Sequence, residues 1–263
     1  MTSHPPIRVH PDSGTVTFTI DRPDQHNALT EAMWRHLAEE VTRHSADESV
    51  KVLVFRGAGE RAFSAGADIK EFQSRAAEPG WINAYTDAVG AAEEAIAAAP
   101  QPTIALIRGY CVGGGCAIAV ACDIRLTAEE SRFAVPVAKM GLVYSLPATR
   151  RLIELVGPAD AKYLLFSARS ISARDAYEMG LVNRVVPAEH LIDETYSLAA
   201  AIASGSAHTI RSAKQITKRV LMGQQEDDAD TTELQAAAAS SAHYQNAVAS
   251  FTGNRTGRSQ GPQ

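Results

Sequence analysis

The sequence has few cysteines, and the three it has do not form a metal-binding pattern. Cys111, Cys116 and Cys122 all lie within one apolar run, with no CxxC spacing and no histidine nearby. Zinc sites use closely spaced cysteines or sets of cysteine and histidine. We therefore expect three small buried side chains in a reducing compartment, and no metal site.

Two further classes of protein are disfavoured by what is missing. The formal net charge is −5. Lysine and arginine are scattered, whereas proteins that bind nucleic acid usually carry a basic stripe. Residues 1–11 lack the apolar segment of a signal peptide, and the apolar stretches at 91–99 and 111–124 are too short or too rich in small residues to span a bilayer. We expect a cytoplasmic protein that binds neither nucleic acid nor membrane.

What the sequence does contain is an alternation of strand and helix patterns. Val16, Phe18 and Ile20 alternate with threonines, which predicts a strand with one polar face. Thr30 is placed to cap a following helix. Further strands are predicted at 50–55, 103–107, 124–127 and 181–186, and helices at 81–99 and 116–121. This order predicts an α/β fold with right-handed crossovers.

The character of the chain changes towards its end. Residues 191–250 are almost entirely helical in pattern and rich in alanine, and residues 253–263 are polar and predicted to be disordered. We therefore divide the chain into a core at 1–190 and a C-terminal helical region with a polar tail at 191–263.

Two loops of small residues stand where predicted strands end. Residues 61–70 (RAFSAGADIK) follow one strand, and residues 109–116 (GYCVGGGC) follow another. Backbone groups in such loops can approach a ligand closely, and the second loop opens a helix whose first amides lack partners. Two such amides, one from each loop, can converge on an enolate oxygen and stabilise it by about 3–4 kcal/mol per donor. By itself, the triple glycine would equally serve a tight turn and close helix packing.

Together with CDIR at 122–125, these loops form an ordered set flanked by Arg22-Pro23, Asn27-Ala28-Leu29 and Gly180-Leu181-Val182-Asn183. The set resembles the crotonase superfamily, and within it the enoyl-CoA hydratase/isomerase family. The resemblance implies a crotonase-like spiral of ββα units. It also implies C-terminal helices that pack on their neighbours in a homotrimer or a dimer of trimers.

The resemblance implies an acyl-CoA substrate, so that coenzyme A enters as part of the thioester and no separate cofactor is expected. The family's oxyanion donors correspond to the backbone amides of Ala67 and Gly114. The implied substrate-binding residues are Asn27, Ala28, Leu29, Ala65, Gly66, Asp68, Ile69, Lys70, Gly113 and Val137. For Asp68 we also expect that the side chain caps or orients its own loop. Four basic residues, Arg211, Lys214, Lys218 and Arg219, either reach a CoA phosphate or form an ordinary solvated helix face.

The chain departs from the family where hydratases carry two glutamates that hold water. The corresponding positions are Ala117 and Val137, and Ser145 stands where related isomerases and dehalogenases carry an aspartate. Without carboxylates at these positions, nothing orients a water molecule or moves its protons. Ordinary hydratase activity is therefore not expected.

Tyr144 is the titratable residue left in the loop after Gly141, and this loop resembles that of methylmalonyl-CoA decarboxylase. That enzyme has a histidine where this chain has Ala67, so the match is partial. Tyr144 is either catalytic or a pocket-wall aromatic. Three hypotheses remain: an enolate-stabilising acyl-CoA lyase or isomerase, a decarboxylase that uses Tyr144, and a non-catalytic acyl-CoA-binding protein.

Overall fold

Strands and helices alternate along most of the chain in the computed structural model, which describes residues 6–256. The strands are β1 (Ile7–Asp12), β2 (Thr15–Ile20), β3 (Val52–Gly57), β4 (Ala62–Ser64), β5 (Thr103–Ile107), β6 (Tyr110–Val112), β7 (Ile124–Ala128), β8 (Arg132–Ala134), β9 (Ile171–Ser172) and β10 (Arg184–Val186). The helices are α1 (Glu31–Ser45), α2 (Ile69–Arg75), α3 (Trp81–Ala98), α4 (Gly114–Ala121), α5 (Val137–Met140), α6 (Leu146–Ser167), α7 (Ala173–Glu178), α8 (Leu191–Ala203), α9 (Ala207–Leu221), α10 (Ala229–Ser240) and α11 (Ala242–Thr256). No helix in these described residues is both long enough and apolar enough to cross a membrane.

The strands form two sheets. The larger has the order β1-β2-β3-β5-β7-β10 and is parallel except for β1, which forms a hairpin with β2. The smaller has the order β4-β6-β8-β9, with β9 antiparallel to its neighbour. Strands of the two sheets alternate in the chain from β3 to β8. This is the α/β arrangement of repeated strand pairs and helices that the sequence predicts.

Both faces of the larger sheet are buried, as is usual when helical crossovers cover a parallel sheet. Phe18 and Phe55 stack on one face, and Val52 and Ile104 pack towards Leu191 of α8 on the other. The polar face predicted for the strand at 15–20 is therefore wrong. Its Thr17 is buried because α8 covers it, and the Thr17 hydroxyl lies 2.9 Å from the Tyr196 hydroxyl.

Two of the motifs found in the sequence meet in the structure. Arg125, of the CDIR block, is buried and donates from Nε to the carbonyl of Leu181 at 2.8 Å. Its backbone amide donates to Oδ1 of Asn183 at 2.9 Å. A buried guanidinium needs hydrogen-bond acceptors, and these contacts explain why an arginine at 125 occurs together with an asparagine at 183. The strand predicted at 181–186 is confined to Arg184–Val186, and the Val182 amide instead donates to the carbonyl of Ala176 at 3.2 Å.

Several local predictions are confirmed. The strand at 103–107 and the helix that begins at Trp81 are present, and the Thr30 hydroxyl accepts a hydrogen bond from the Met33 amide. In addition to these predicted features, the structure shows a capping box of Ser172 and Asp175 at the start of α7. The helix predicted at 116–121 begins two residues earlier, at Gly114. All three cysteines are free and buried.

Contacts divide the chain into two compact units between Ala203 and Ser204. Helix α8 belongs to the first unit, because its buried Leu191 and Ala199 join the cluster that covers the larger sheet. The sequence-based boundary at residues 190 and 191 therefore precedes the structural one by one helix.

The second unit contains α9, α10 and α11. Arg219 at the end of α9 pairs with Asp228 and Asp230, each at 2.7 Å. This residue is therefore engaged within its own unit. Helix α11 extends to Thr256, so the disordered segment predicted from residue 253 begins too early. Glycine weakens a helix but does not forbid its continuation. Residues 257–263 of that segment lie outside the described residues.

Candidate functional site

The first small-residue loop is held in place by the segment around Asn27. The Ser64 hydroxyl donates to the carbonyl of Asn27 at 2.8 Å and accepts from the Gly66 amide at 3.1 Å. The Leu29 amide donates to the carbonyl of Gly66 at 2.7 Å, and the Asp68 amide donates to the carbonyl of Leu29 at 2.9 Å. The loop after β4 is thus fixed through backbone groups.

The buried side chain of Asn27 holds the segments around this loop together by hydrogen bonds. Its Oδ1 accepts from the Arg22 amide, and its Nδ2 donates to the carbonyls of Ala58 at 3.0 Å and Ala62 at 2.6 Å. Its φ of 57° lies in the left-handed region, which asparagine tolerates better than most residues. The side chain therefore supports the loop, and a contact of Asn27 with CoA stays a prediction.

The amide of Ala67 points away from its neighbouring chain segment. Leu29 bonds to the residues on either side of Ala67, which is the pattern of a parallel bridge in which the middle residue directs its own N–H outward. Among residues 6–256, the Ala67 amide donates no hydrogen bond to another protein group. Ala67 thus offers the partner-free donor that an oxyanion site requires.

The second loop ends in the first turn of α4. Gly113 has φ 55° and ψ −113°, a conformation open to glycine, and its amide donates to the carbonyl of Ala134. Gly114 is the first residue of α4, and its amide has no acceptor in the described part of the chain. A Cβ on Gly114 would lie 2.8 Å from Cζ2 of Trp34, whose Nε1 donates to the Tyr85 hydroxyl at 3.0 Å.

The two loops touch at Gly66. A Cβ on this residue would lie 2.8 Å from the nitrogen of Gly114 and 2.8 Å from the carbonyl oxygen of Val112. The φ of Gly66 is also +87°. Glycine is therefore required by both space and backbone conformation. Two partner-free amides, at Ala67 and Gly114, consequently lie on loops in direct contact, at the positive end of α4.

The predicted substrate-binding residues fall into two groups. Those that are buried are Asn27, Ala28, Leu29, Gly66 and Asp68. Those with surface open to solvent are Ala65, Ile69, Lys70, Gly113 and Val137. The first group forms the frame of the loops, and the second offers the surface on which a ligand could rest.

Asp68 orients its own loop, as the sequence suggests. Its Oδ1 accepts from the amide of Lys70 at 3.0 Å and caps α2, while its Oδ2 pairs with Arg22 at 2.8 Å. Burial by itself raises the pKa of Asp68, but the Arg22 guanidinium and the helix amides outweigh burial and lower that pKa below its ordinary value. The carboxylate is thus charged and already engaged.

The positions matched to the missing carboxylates carry no acid or base. Ala117 is buried in α4, Val137 begins the short helix α5, and the Ser145 hydroxyl caps α6 by accepting from the Ala148 amide at 3.2 Å. Neither a methyl nor an isopropyl group can hold a water molecule. Ser145 is committed to the helix that it begins.

Tyr144 turns its hydroxyl inward. The oxygen is buried and has no hydrogen-bond partner among the described residues. Burial, above all, raises the pKa of Tyr144 well above its ordinary value, and nearby Cys116 and Glu93 raise it further. Tyr144 therefore stays protonated at neutral pH and can donate a hydrogen bond, but it cannot act as a base.

Glu93 is a candidate site residue that the sequence motifs did not indicate. It is 3% exposed on α3, and its Oε2 lies 3.5 Å from Nη1 of Arg151 on α6. Burial raises the pKa of Glu93 to about 7, against the smaller opposing effect of Arg151. Helical spacing was the available signal, because Tyr85 follows Trp81 by four residues and Glu93 follows Tyr85 by eight, so that all three share the inward face.

Comparison with known proteins shows relatives along most of the chain. A family model described as enoyl-CoA hydratase/isomerase matches residues 11–258. A probable enoyl-CoA hydratase of Mycobacterium bovis is 34% identical over 213 residues, which is 81% of each chain. A crotonyl-CoA hydratase of Syntrophomonas wolfei is 36% identical over 196 residues, 74% of each chain.

Solved structures agree with the fold. An enoyl-CoA hydratase/carnithine racemase from Magnetospirillum magneticum is 35% identical, with a TM-score of 0.89 over 96% of this chain and 94% of that one. An enoyl-CoA hydratase/isomerase family protein from Hyphomonas neptunium is 30% identical, with a TM-score of 0.90 over 95% of each. The family match, the relatives and the crotonase fold lead to one conclusion: the chain belongs to the enoyl-CoA hydratase/isomerase family of the crotonase superfamily.

Proposed function

We propose that the protein is an enzyme that binds acyl-CoA thioesters and stabilises their enolates through the amides of Ala67 and Gly114. The observation that carries this proposal is that both amides lack protein partners and lie on loops that touch at Gly66. An enolate oxygen bound between them would accept one hydrogen bond from each amide. Donors arranged in advance in this way stabilise a transition state most effectively.

Formation of an enolate and addition of water need different groups in the active site. Addition of water needs groups that hold the water and move its protons, and Ala117 and Val137 supply neither. Isomerisation needs a base for one proton, and decarboxylation needs none, because the departing carboxylate leaves its electron pair to the enolate. Decarboxylation or isomerisation therefore fits these residues better than hydration does.

We expect the wild-type protein to exchange the α-proton of at least one acyl-CoA with deuterium from solvent. Exchange reports directly an enolate that is formed by loss of the α-proton. A panel of CoA thioesters incubated in D₂O and analysed by mass spectrometry would measure it, with the matching free acids as controls. Thioesters that bind in calorimetry but neither exchange nor lose CO₂ would instead support the non-catalytic binding protein.

A second candidate is decarboxylation of a 2-carboxyacyl-CoA assisted by Tyr144. The observation that favours it is the buried hydroxyl of Tyr144, which has no partner in the described structure and lies near Cys116, two residues beyond Gly114. As a neutral donor, this hydroxyl could hold a carboxylate out of the thioester plane. Loss of CO₂ would then leave the enolate between the two amides.

For this candidate we expect Tyr144→Phe to slow CO₂ release from methylmalonyl-CoA by about tenfold or more. The change removes only the hydroxyl, so packing and acyl-CoA affinity should be nearly unchanged. Release of CO₂ and calorimetric affinity would be measured on the same preparations. If wild type leaves every 2-carboxyacyl-CoA intact, or if Tyr144→Phe is equally fast, the decarboxylase role is excluded.

Assembly and location stay predictions. We propose a homotrimer or a dimer of trimers, in keeping with exposed apolar side chains in the second unit, which include Val220, Leu221 and Met222 at the end of α9 and Phe251 on α11. Large apolar side chains exposed in this way favour association with other subunits. A cytoplasmic location is proposed from the sequence alone.

A further inference from the structure

Two polar side chains from different helices meet inside the first unit, and a third lies within electrostatic range of both. Glu93 comes from α3, Arg151 from α6, and Tyr144 from the loop between α5 and α6. Nη2 of Arg151 lies 2.7 Å from Oε2 of Glu94, which is a short ion pair. Nη1 of Arg151 lies farther, at 3.5 Å, from Oε2 of Glu93. Glu93 is thus buried beside a cation without a hydrogen bond from it.

The cluster contains polar atoms whose bonding is incomplete. The Tyr144 hydroxyl and Nη1 of Arg151 are both buried without a hydrogen-bond partner among the described residues, and Arg151 as a whole is only 7% exposed. Buried donors are nearly always satisfied, because leaving one unpaired costs about 1–3 kcal/mol. Two such donors beside one carboxyl group indicate a place where a polar ligand atom completes the set.

The cluster adjoins the proposed oxyanion site. Tyr144 is within electrostatic range of Glu93 and Cys116, and Cys116 lies in the same first turn of α4 as Gly114. Helix α3 packs against α4. It also supplies Tyr85, which holds the Trp34 indole beneath Gly114. Glu93 therefore comes from the helix that supports the oxyanion loop.

Resting on the proposed function, we infer that Glu93 is the catalytic group that takes a proton from the bound acyl-CoA and returns it. The Glu93 carboxylate accepts the proton from Cα, the C–H bond breaks, and its electron pair moves into the thioester to form the enolate held by the amides of Ala67 and Gly114. When Glu93 gives the proton back to carbon, the electron pair returns with it. Reprotonation at Cα regenerates the substrate, while reprotonation at Cγ of an unsaturated chain shifts the double bond. Nothing is oxidised or reduced.

The surroundings of Glu93 suit this role better than that of a structural ion pair. In a structural ion pair, Arg151 would make its short contact with the buried carboxylate of Glu93. It makes that contact with the half-exposed Glu94 instead. The charged and titratable groups around the site are Arg151 on α6, Tyr144, Cys111, Cys116, and Glu94 on the same helix. Among them, Arg151 opposes the effect of burial, which raises the pKa of Glu93 to about 7. A carboxyl group with this pKa both accepts and donates protons near neutral pH.

The test is deuterium exchange at Cα in the full-length protein, with Glu93→Gln compared to wild type. We expect exchange to fall by about a hundredfold or more, while calorimetric affinity for the same acyl-CoA is kept. Glu94→Gln is the comparison variant, because it leaves Arg151 to Glu93 alone. Its exchange should persist, with the midpoint of the pH dependence moved to lower pH, whereas Glu93→Gln should lose exchange at every pH. Exchange in Glu93→Gln as fast as in wild type would overturn the role of Glu93 and leave the proposed function intact.

A measurement on wild type alone gives a second criterion. Exchange should rise with pH through a midpoint near 7 and then level off, because the ionised form of Glu93 is the base. A rate that does not change between about pH 5.5 and 8.5 would contradict the inference even if Glu93→Gln failed to fold. If wild type neither exchanges the α-proton of any acyl-CoA nor decarboxylates one, the proposed function fails together with the role of Glu93, whereas decarboxylation without exchange would overturn only the role of Glu93.

Discussion

The protein should hydrate crotonyl-CoA at no more than about one hundredth of the rate of an ordinary enzyme, whose turnover number is roughly 10 per second. The reason is chemical. Hydration requires a water molecule held beside the double bond and groups that take one of its protons and deliver another to carbon. The two positions that the family uses for this purpose hold the apolar Ala117 and Val137. Glu93, if it moves protons, is one group and not two.

Disappearance of the enoyl thioester absorbance would measure hydration, and calorimetric binding of crotonyl-CoA would establish that the protein is folded and occupied. A turnover on the order of 10 per second would contradict the prediction and show that another residue replaces the glutamates. The same assay on Glu93→Gln would then reveal whether Glu93 is that residue.

The second large effect is expected at Gly66. Replacing it with alanine should lower α-proton exchange by about 10²–10³, the loss typical of removing one oxyanion donor. The new methyl group would lie 2.8 Å from the Gly114 nitrogen, where the enolate oxygen has to approach. To relieve this contact the loop must shift, and the shift would carry the Ala67 amide away from its position.

Gly80→Ala provides the matched control for backbone strain. Gly80 has a φ of +79°, close to that of Gly66, but an added Cβ would meet nothing within 4 Å. Both variants therefore bear a similar conformational cost, and thermal unfolding should show it in each. If the two exchange α-protons equally well, obstruction of the oxyanion site is not the reason for the glycine at 66.

Local rules account for the part of this structure that the sequence predicted. The strand at 103–107 is a run of apolar residues, Thr30 is a strong helix cap, and the glycine-rich loops allow close backbone approach. Each of these depends on a few neighbouring residues. The two loops that carry the candidate oxyanion amides were likewise visible in the sequence, but the assignment of the donors to Ala67 and Gly114 came from the resemblance to the crotonase superfamily and stays a prediction.

The rest depends on contacts between distant segments. Strands such as β8 and β9 contain three and two residues, too few to show a period, and they exist because the smaller sheet pairs them. The inward turn of Tyr144 and its approach to Glu93 join residues about fifty positions apart. Glu93 looked like one more charge in an alanine-rich helix, although its position two turns after the buried Tyr85 carried the information.

The order of strands in the larger sheet matches their order in the chain, and this bears on how the protein is made. Each strand of β1-β2-β3-β5-β7-β10 is added beside the one synthesised before it. A chain emerging from the ribosome can therefore extend the sheet at one growing edge, without waiting for a strand to insert between two others. Until residues 184–186 emerge, β7 is that edge, with unpaired amides and carbonyls. The nascent chain is most exposed to mispairing during the roughly sixty residues that separate β7 from β10, which at 5–20 residues per second lasts about 3–12 seconds.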